Sequence, residues 1–176
     1  MKIIKTKFKD LLIIKQKNNS DKRGSLRETF NKRILKSNFV FEYCTTSKKN
    51  ALRGFHFQYK FKQAKYVNVL KGKILDCVID LRKNSKTFGK MFTCTLSEKN
   101  SNSIFIPAGF AHGFQSLDKE NYIIYSCTNY RDKSSEVTID INDKNLNIKW
   151  PLRKQVVSKK DKNGISFLNF KKKYSI

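Results

Sequence analysis

The chain has 176 residues, of which 39% are apolar, including 14 Phe and 7 Tyr. That is one domain's length with enough apolar mass to bury a core, which excludes wholesale disorder, and 2 Pro and 7 Gly exclude a collagenous or Pro-rich chain. The 38 Lys and Arg against 14 Asp and Glu leave a net charge of +24, and no apolar run approaches the ~20 residues that span a bilayer.

The N-terminal Met1–Lys7 carries lysines, but no apolar segment or small-residue cleavage site follows, so the chain is expected in the cytoplasm. A helix is predicted near Glu28–Leu35. Phe39–Cys44 reads as a strand, as does Lys65–Leu70, which ends at the turn signal Lys71-Gly72-Lys73. In the next strand, Leu75, Cys77, Ile79 and Leu81 alternate with Asp76, Val78, Asp80 and Arg82. Two carboxylates on one strand face are costly beside a dry core, so that face is expected to be wet, paired or part of a site. Lys90–Leu96 is a further strand, followed by a turn or short helix near Ser97–Ser101 and a strand over Ser103–Ile106 that stops at Pro107. Ala108–Ser116 reads as a turn leading into a strand, and Tyr122–Thr128 and Val137–Ile141 as strands. Strands recurring at short intervals with weak helical periodicity indicate an all-β sandwich or barrel. The charged Lys159–Lys173 tail holds Ile165, Phe167, Leu168 and Phe170, which anchor part of it.

The basic charge first suggests nucleic acid. The lysines, however, are spread along the whole chain, Arg is scarce, and no nucleic-acid-binding motif is present, so a solvated Lys-rich surface is the better reading. The same field would draw in a small polyanion such as a nucleoside diphosphate. Cys44, Cys77, Cys94 and Cys127 form no CxxC and sit in apolar stretches, which reads as reduced, buried thiols. With only His56 and His112 as histidines, a structural zinc or three-His metal centre is not expected.

Six elements follow one another in order: Asp21–Gly24 (D-K-R-G), Leu52–His56 (L-R-G-F-H), Ile79–Arg82 with Thr87-Phe88-Gly89, Ile106–Phe114 (I-P-A-G-F-A-H-G-F), Tyr125–Tyr130, and Trp150-Pro151. This arrangement resembles the dTDP-4-dehydrorhamnose 3,5-epimerase family, from about residue 3 to about residue 167. The resemblance implies a cupin-type double-stranded β-helix, or jelly roll, with short peripheral helices. Its core would run over about 38–142, with a C-terminal segment of about 143–176 packed on it in a single domain spanning 1–176. It further implies cofactor-independent 3,5-epimerisation of a nucleoside-diphosphate 4-keto-6-deoxy sugar, without a metal, in a homodimer; the charge distribution and the lack of a long apolar run add the expectation that neither nucleic acid nor membrane is a partner.

The resemblance also implies roles. His56 is the base, Asp161 its carboxylate partner, Tyr125 the acid on the opposite face, and Lys65 the group that stabilises the enolate oxygen. Arg23, Glu28, Arg53, Gln58, His112, Tyr130 and Arg131 are the implied substrate-binding positions, with Glu28 on the nucleotide side, where the partner subunit can supply it. From the residues alone, Asp76 or Asp80 would serve as well as Asp161 beside His56, and Arg82 is placed to pair with Asp80. The chemistry is coherent in itself. A hydrogen beside a ketone is weakly acidic, so a positioned base and an electrophile at the oxygen are both needed. Imidazole accepts a proton near neutral pH, and a phenol can return one to an enolate carbon.

Four positions depart from the family pattern. Phe41 and Tyr43 stand where Gln and Asn are usual, Asn19 where a base-stacking aromatic is usual, and Arg131 where a second Tyr is usual. These departures leave open a GDP-linked 4-keto-heptose epimerase. A 3,4-ketoisomerase and a non-catalytic sugar or nucleic-acid binder are the other readings.

Overall fold

The computed structural model describes residues 1–174. Its strands are β1 (Lys2–Lys5), β2 (Leu12–Lys15), β3 (Asn18–Asp21), β4 (Gly24–Arg27), β5 (Phe41–Lys48), β6 (Ala51–Gln58), β7 (Lys65–Lys71), β8 (Lys73–Asp80), β9 (Met91–Ser97), β10 (Asn102–Ile106), β11 (Phe110–Ser116), β12 (Glu120–Cys127), β13 (Glu136–Thr138) and β14 (Val156–Val157). Two helices follow, α1 (Lys159–Lys162) and α2 (Phe167–Lys173). One large sheet has the order β1-β2-β10-β7-β12-β5 and the other β13-β6-β11-β8-β9, with β14 added parallel to β6. β3 and β4 form a separate hairpin. This is the all-β jelly-roll architecture expected from the sequence.

Period-two alternation builds the space between the sheets. Val67, Val69, Ile123, Tyr125 and Cys127 of the first sheet pack with Ile74, Val78, Leu96, Phe110 and Phe114 of the second. The opposite face of the second sheet is buried too. There Leu52, Phe57, Cys77, Ile79 and Ala111 meet Phe167 and Phe170 of α2. Ser166 caps α2 by accepting from the Asn169 N–H, and Lys171, Lys172 and Lys173 occupy its last turn, where cations complement the helix dipole. The full burial of Phe170 contributes about 1.5–3 kcal/mol, the usual value for a core aromatic, so the tail is a structural layer and not only a solvated wrap.

β8 is therefore covered on both faces, and its carboxylates are paired as the sequence required. Asp80 accepts from Arg82 Nε at 2.9 Å and Nη2 at 2.8 Å, and from Ser85 Oγ and Thr87 Oγ1 at 2.6 Å each. Burial opposes its ionisation, but these hydrogen bonds outweigh that and hold its pKa below the ordinary value. This knot fastens the connection from β8 to β9.

The structure corrects three sequence expectations. Residues 28–35 hold only a turn, in which the Asn31 carbonyl accepts from the Ile34 and Leu35 N–H groups. Phe30 packs against Phe39 with centroids 5.3 Å apart, and Leu35 is buried with Tyr66, so anchoring on the first sheet overrides local helix preference. β1 to β4 were not foreseen, because these short Lys- and Asn-rich stretches carry little alternation. Cys44 is exposed, since it points away from the face that its neighbours Tyr43 and Thr45 present to the interior of the sandwich; Cys77 and Cys127 are buried and Cys94 is intermediate. Ser97–Ser101 is a turn, as expected, closed by the Ser101 N–H on the Ser97 carbonyl.

Candidate active site

A cavity of about 500 Å³ opens between the two sheets. The L-R-G-F-H segment lies on β6 and the A-G-F-A-H-G-F segment leads into β11, and the two strands pair with His112 opposite His56. Glycine is required for this approach. A Cβ at Gly54, whose φ is +127°, would lie 2.5 Å from Gly113 Cα. A register shift between His112 and Phe114 lets the two histidines present themselves at one end of the sheet.

His56 Nε2 donates to Asp161 Oδ1 at 2.6 Å. The carboxylate can only accept, so the neutral imidazole carries its hydrogen on Nε2 and its other nitrogen keeps a lone pair. Asp161 reaches β6 from α1, 105 residues along the chain, and its second oxygen accepts from the Gly54 N–H at 3.3 Å. Ser158, the N-cap of α1, accepts from the Asp161 N–H. Burial raises the Asp161 pKa, but the bonds from His56, Gly54 and Ser158 prevail and the net direction is downward. The carboxylate is therefore ionised at neutral pH and holds the imidazole by its Nε2–H.

Tyr125 enters from the first sheet, on β12. It is 3% exposed, and burial, the neighbouring Tyr43 and Asp76 push its phenol well above the usual value. It is thus protonated at neutral pH and able to give a proton. Its ring lies 5.9 Å from that of His112, edge-on. His112 Nε2 pairs with Asp76 Oδ2 at 2.7 Å, both groups being buried, and Asp76 Oδ1 has no partner among the described residues. So Asp161 serves His56, Asp76 serves His112 and Asp80 serves Arg82, which resolves the choice that the sequence left open.

Lys65, at the start of β7, also lines the cavity. Burial lowers its pKa, and it forms no salt bridge among the described residues. Arg53 is braced by Ser47 Oγ at 3.1 Å and by the Thr46 carbonyl. Arg131 is held at the rim by Glu136 at 2.7 Å, and the same carboxylate oxygen takes Lys160 at 2.9 Å. Gln58 lines the cavity, but its amide is committed to the Phe61 and Tyr130 carbonyls and to the Asp132 N–H.

Of the eleven positions singled out in the sequence, the chain brings His56, Tyr125, Asp161, Lys65, Arg53, Gln58, His112 and Arg131 to one cavity. Arg23, Glu28 and Tyr130 do not line it. Arg23 pairs with Asp21 on the β3–β4 hairpin, Glu28 accepts from Asn31, and Tyr130 is 69% exposed, with its ring 6.1 Å from Phe41. Sequence reasoning missed Glu136, Thr45 and Lys160 in the cavity wall. The available signal for Glu136 was its position on β13, opposite Gln58 of the motif strand. Among the described residues, no group of three or more His, Cys, Asp or Glu side chains is arranged to hold a metal ion, and no helix is long and apolar enough to cross a membrane.

The chain and its fold have clear relatives. The family model for dTDP-4-dehydrorhamnose 3,5-epimerase matches residues 5–169. The dTDP-4-dehydrorhamnose 3,5-epimerase of Shigella flexneri is 38% identical over 176 residues, covering 96% of this chain and 97% of its own. The crystal structure of the enzyme of that name from Elizabethkingia anophelis superposes with a TM-score of 0.89 at 37% identity, covering 99% of both chains. The dTDP-6-deoxy-D-glucose-3,5-epimerase of Legionella pneumophila, solved in complex with dTDP-4-keto-L-rhamnose, gives a TM-score of 0.89 at 38% identity, over 94% of this chain and 92% of that one. With a matching model over nearly its whole length and a shared cupin-type barrel, the chain belongs to the dTDP-4-dehydrorhamnose 3,5-epimerase family of isomerases.

Proposed function

We propose that the protein epimerises C3 and C5 of a dTDP-linked 4-keto-6-deoxy sugar, with His56 as base and Tyr125 as acid. The observation that carries this reading is the cavity itself, which takes an imidazole–carboxylate dyad from β6 and α1 and a buried phenol from β12 of the other sheet. His56 removes the hydrogen beside the ketone as a proton, and the electron pair moves to the ketone oxygen as an enolate. The Lys65 ammonium, which has no carboxylate partner among the described residues, stabilises that oxygen. Tyr125 then delivers its proton to the same carbon from the other face, and the imidazolium and phenolate re-equilibrate with solvent. The hydrogens leave and return as protons, so the reaction involves no net redox change. Asp161 holds the His56 tautomer, and Arg53 and Arg131 supply positive charge for the diphosphate.

For the assembly we propose a homodimer. Arg23 and Glu28 lie outside their own chain's cavity, on a segment that also exposes Leu26 and Phe30, and a second copy would have use for both features. Four free cysteines and a nucleotide-sugar substrate fit a reducing cytoplasm. The test is incubation with dTDP- and GDP-linked 4-keto sugars in heavy water, followed by product NMR. Deuterium at C3 and C5 with inverted configuration and the ketone still at C4 supports the proposal. A ketone moved to C3 supports the isomerase alternative. Absence of wash-in with every sugar, together with salt-dependent retention of oligonucleotides, supports a binder.

A further inference from the structure

Tyr125 is not alone on its wall. β5 and β12 are antiparallel, with Tyr43 directly opposite Tyr125, Phe41 opposite Cys127 and Thr45 opposite Ile123. Alternation sends Phe41, Tyr43 and Thr45 to one face of β5, and all three line the cavity. The Tyr43 and Tyr125 rings are stacked, with centroids 4.7 Å apart and planes only 5° from parallel. Phe41 backs Tyr43 with centroids 5.5 Å apart, and His112 meets Tyr125 edge-on from the other sheet. The acid ring is thus covered on a face by Tyr43 and fixed at an edge by His112.

We infer that Tyr43 is a positioning residue, whose ring holds the Tyr125 phenol at the distance and tilt needed to protonate the enolate. This inference rests on the assignment of Tyr125 as the acid. The reasoning is geometric. β5 is the edge of its sheet among the described residues, so no further strand of these backs the stack. Removing the Tyr43 ring leaves a ring-sized gap into which Tyr125 can tilt, and displacement of a reacting group by about 1 Å can cost up to ~10² in rate. The base step lies on His56 of the other sheet and Asp161 of α1, and does not depend on Tyr43. The two half-reactions should therefore separate.

The test measures deuterium wash-in and net inversion side by side for Tyr43→Leu, Tyr43→Phe and Tyr125→Phe with a dTDP-linked 4-keto-6-deoxy sugar. In Tyr43→Leu, inversion should fall about tenfold or more, while wash-in stays within roughly threefold of the parent, the gap reflecting lost acid placement. In Tyr43→Phe the stack persists, and most of the inversion should be rescued. Retained wash-in itself reports a folded base site, and Tyr43→Asn repeats the test if the leucine variant does not accumulate folded. A Tyr43→Leu enzyme whose wash-in and inversion change in parallel overturns the inference. So does a Tyr43→Phe enzyme as impaired as Tyr43→Leu, since the hydroxyl and not the ring would then matter. Full inversion by Tyr125→Phe removes the acid assignment itself, a failure distinguishable from that of Tyr43 alone.

Discussion

Replacing Asp161 by Asn tests the dyad at a single atom. Asp161 is 3% exposed, bonds His56 Nε2 at 2.6 Å through one oxygen and the Gly54 N–H at 3.3 Å through the other. In Asp161→Asn the amide oxygen keeps the backbone bond, so its NH₂ group faces His56 Nε2. That nitrogen must now accept, and the imidazole hydrogen moves to the nitrogen that has to act as base. A hydrogen bond to a charged group is worth about 1.5–3 kcal/mol, which corresponds to roughly 10- to 150-fold in rate. The tautomer penalty adds to this, so the loss should be on the order of 10² to 10⁴, the upper end being what general-base catalysis usually contributes. The assay is deuterium wash-in followed by mass spectrometry, with circular dichroism to confirm the fold. An Asp161→Asn enzyme that exchanges within about threefold of the parent would refute the argument, because neither tautomer control nor the adjacent charge would then matter.

Other outcomes follow from the same geometry. Tyr125→Phe should lower net inversion by roughly 10²–10⁴ while sparing the first proton loss, read as wash-in exceeding inversion. Because burial lowers the Lys65 pKa, the alkaline limb of kcat should begin below the ordinary lysine range; Lys65→Arg, charged at all accessible pH, should move that limb upward while lowering kcat. Asp80→Asn should cost about 2–3 kcal/mol, or roughly 5–10 °C in Tm by calorimetry, since it removes the charge that organises Arg82, Ser85 and Thr87. Asp80, Glu136 and Asp161 all have folded pKa values below their ordinary ones. Their stabilisation is complete above the unfolded carboxylate values and disappears as pH falls through the depressed folded values. A Tm profile should therefore drop steeply below about pH 4, and Asp80→Asn should flatten it.

The parts of the site legible in the sequence are those where local spacing and strand geometry coincide. His56 and His112 sit in Gly-punctuated motifs on neighbouring strands, and the same glycines allow those strands to approach. β8 is legible because alternation survives even with both faces covered, and its two carboxylates announced a need for partners. The identity of those partners was not legible. Asp161 lies on a four-residue helix in a Lys-rich tail, and only the resemblance pointed there, because sequence separation carries no distance information. Glu136 was invisible for the same reason, since its role arises from pairing with Gln58 and from two cations that reach it from other segments. Residues 28–35 mislead in the opposite sense, as Phe30 and Leu35 are spaced for packing onto a sheet and not for a helix face. Phe41 and Tyr43 stood out as departures, but only register on β12 reveals that one of them covers Tyr125.

The account stands on His56 as the group that takes the proton. In His56→Asn, incubated with the 4-keto sugar in deuterated buffer, incorporation at C3 and C5 should fall by at least about 10², with the Tm close to that of the parent. Incorporation at the parent rate in a folded His56→Asn enzyme would contradict it.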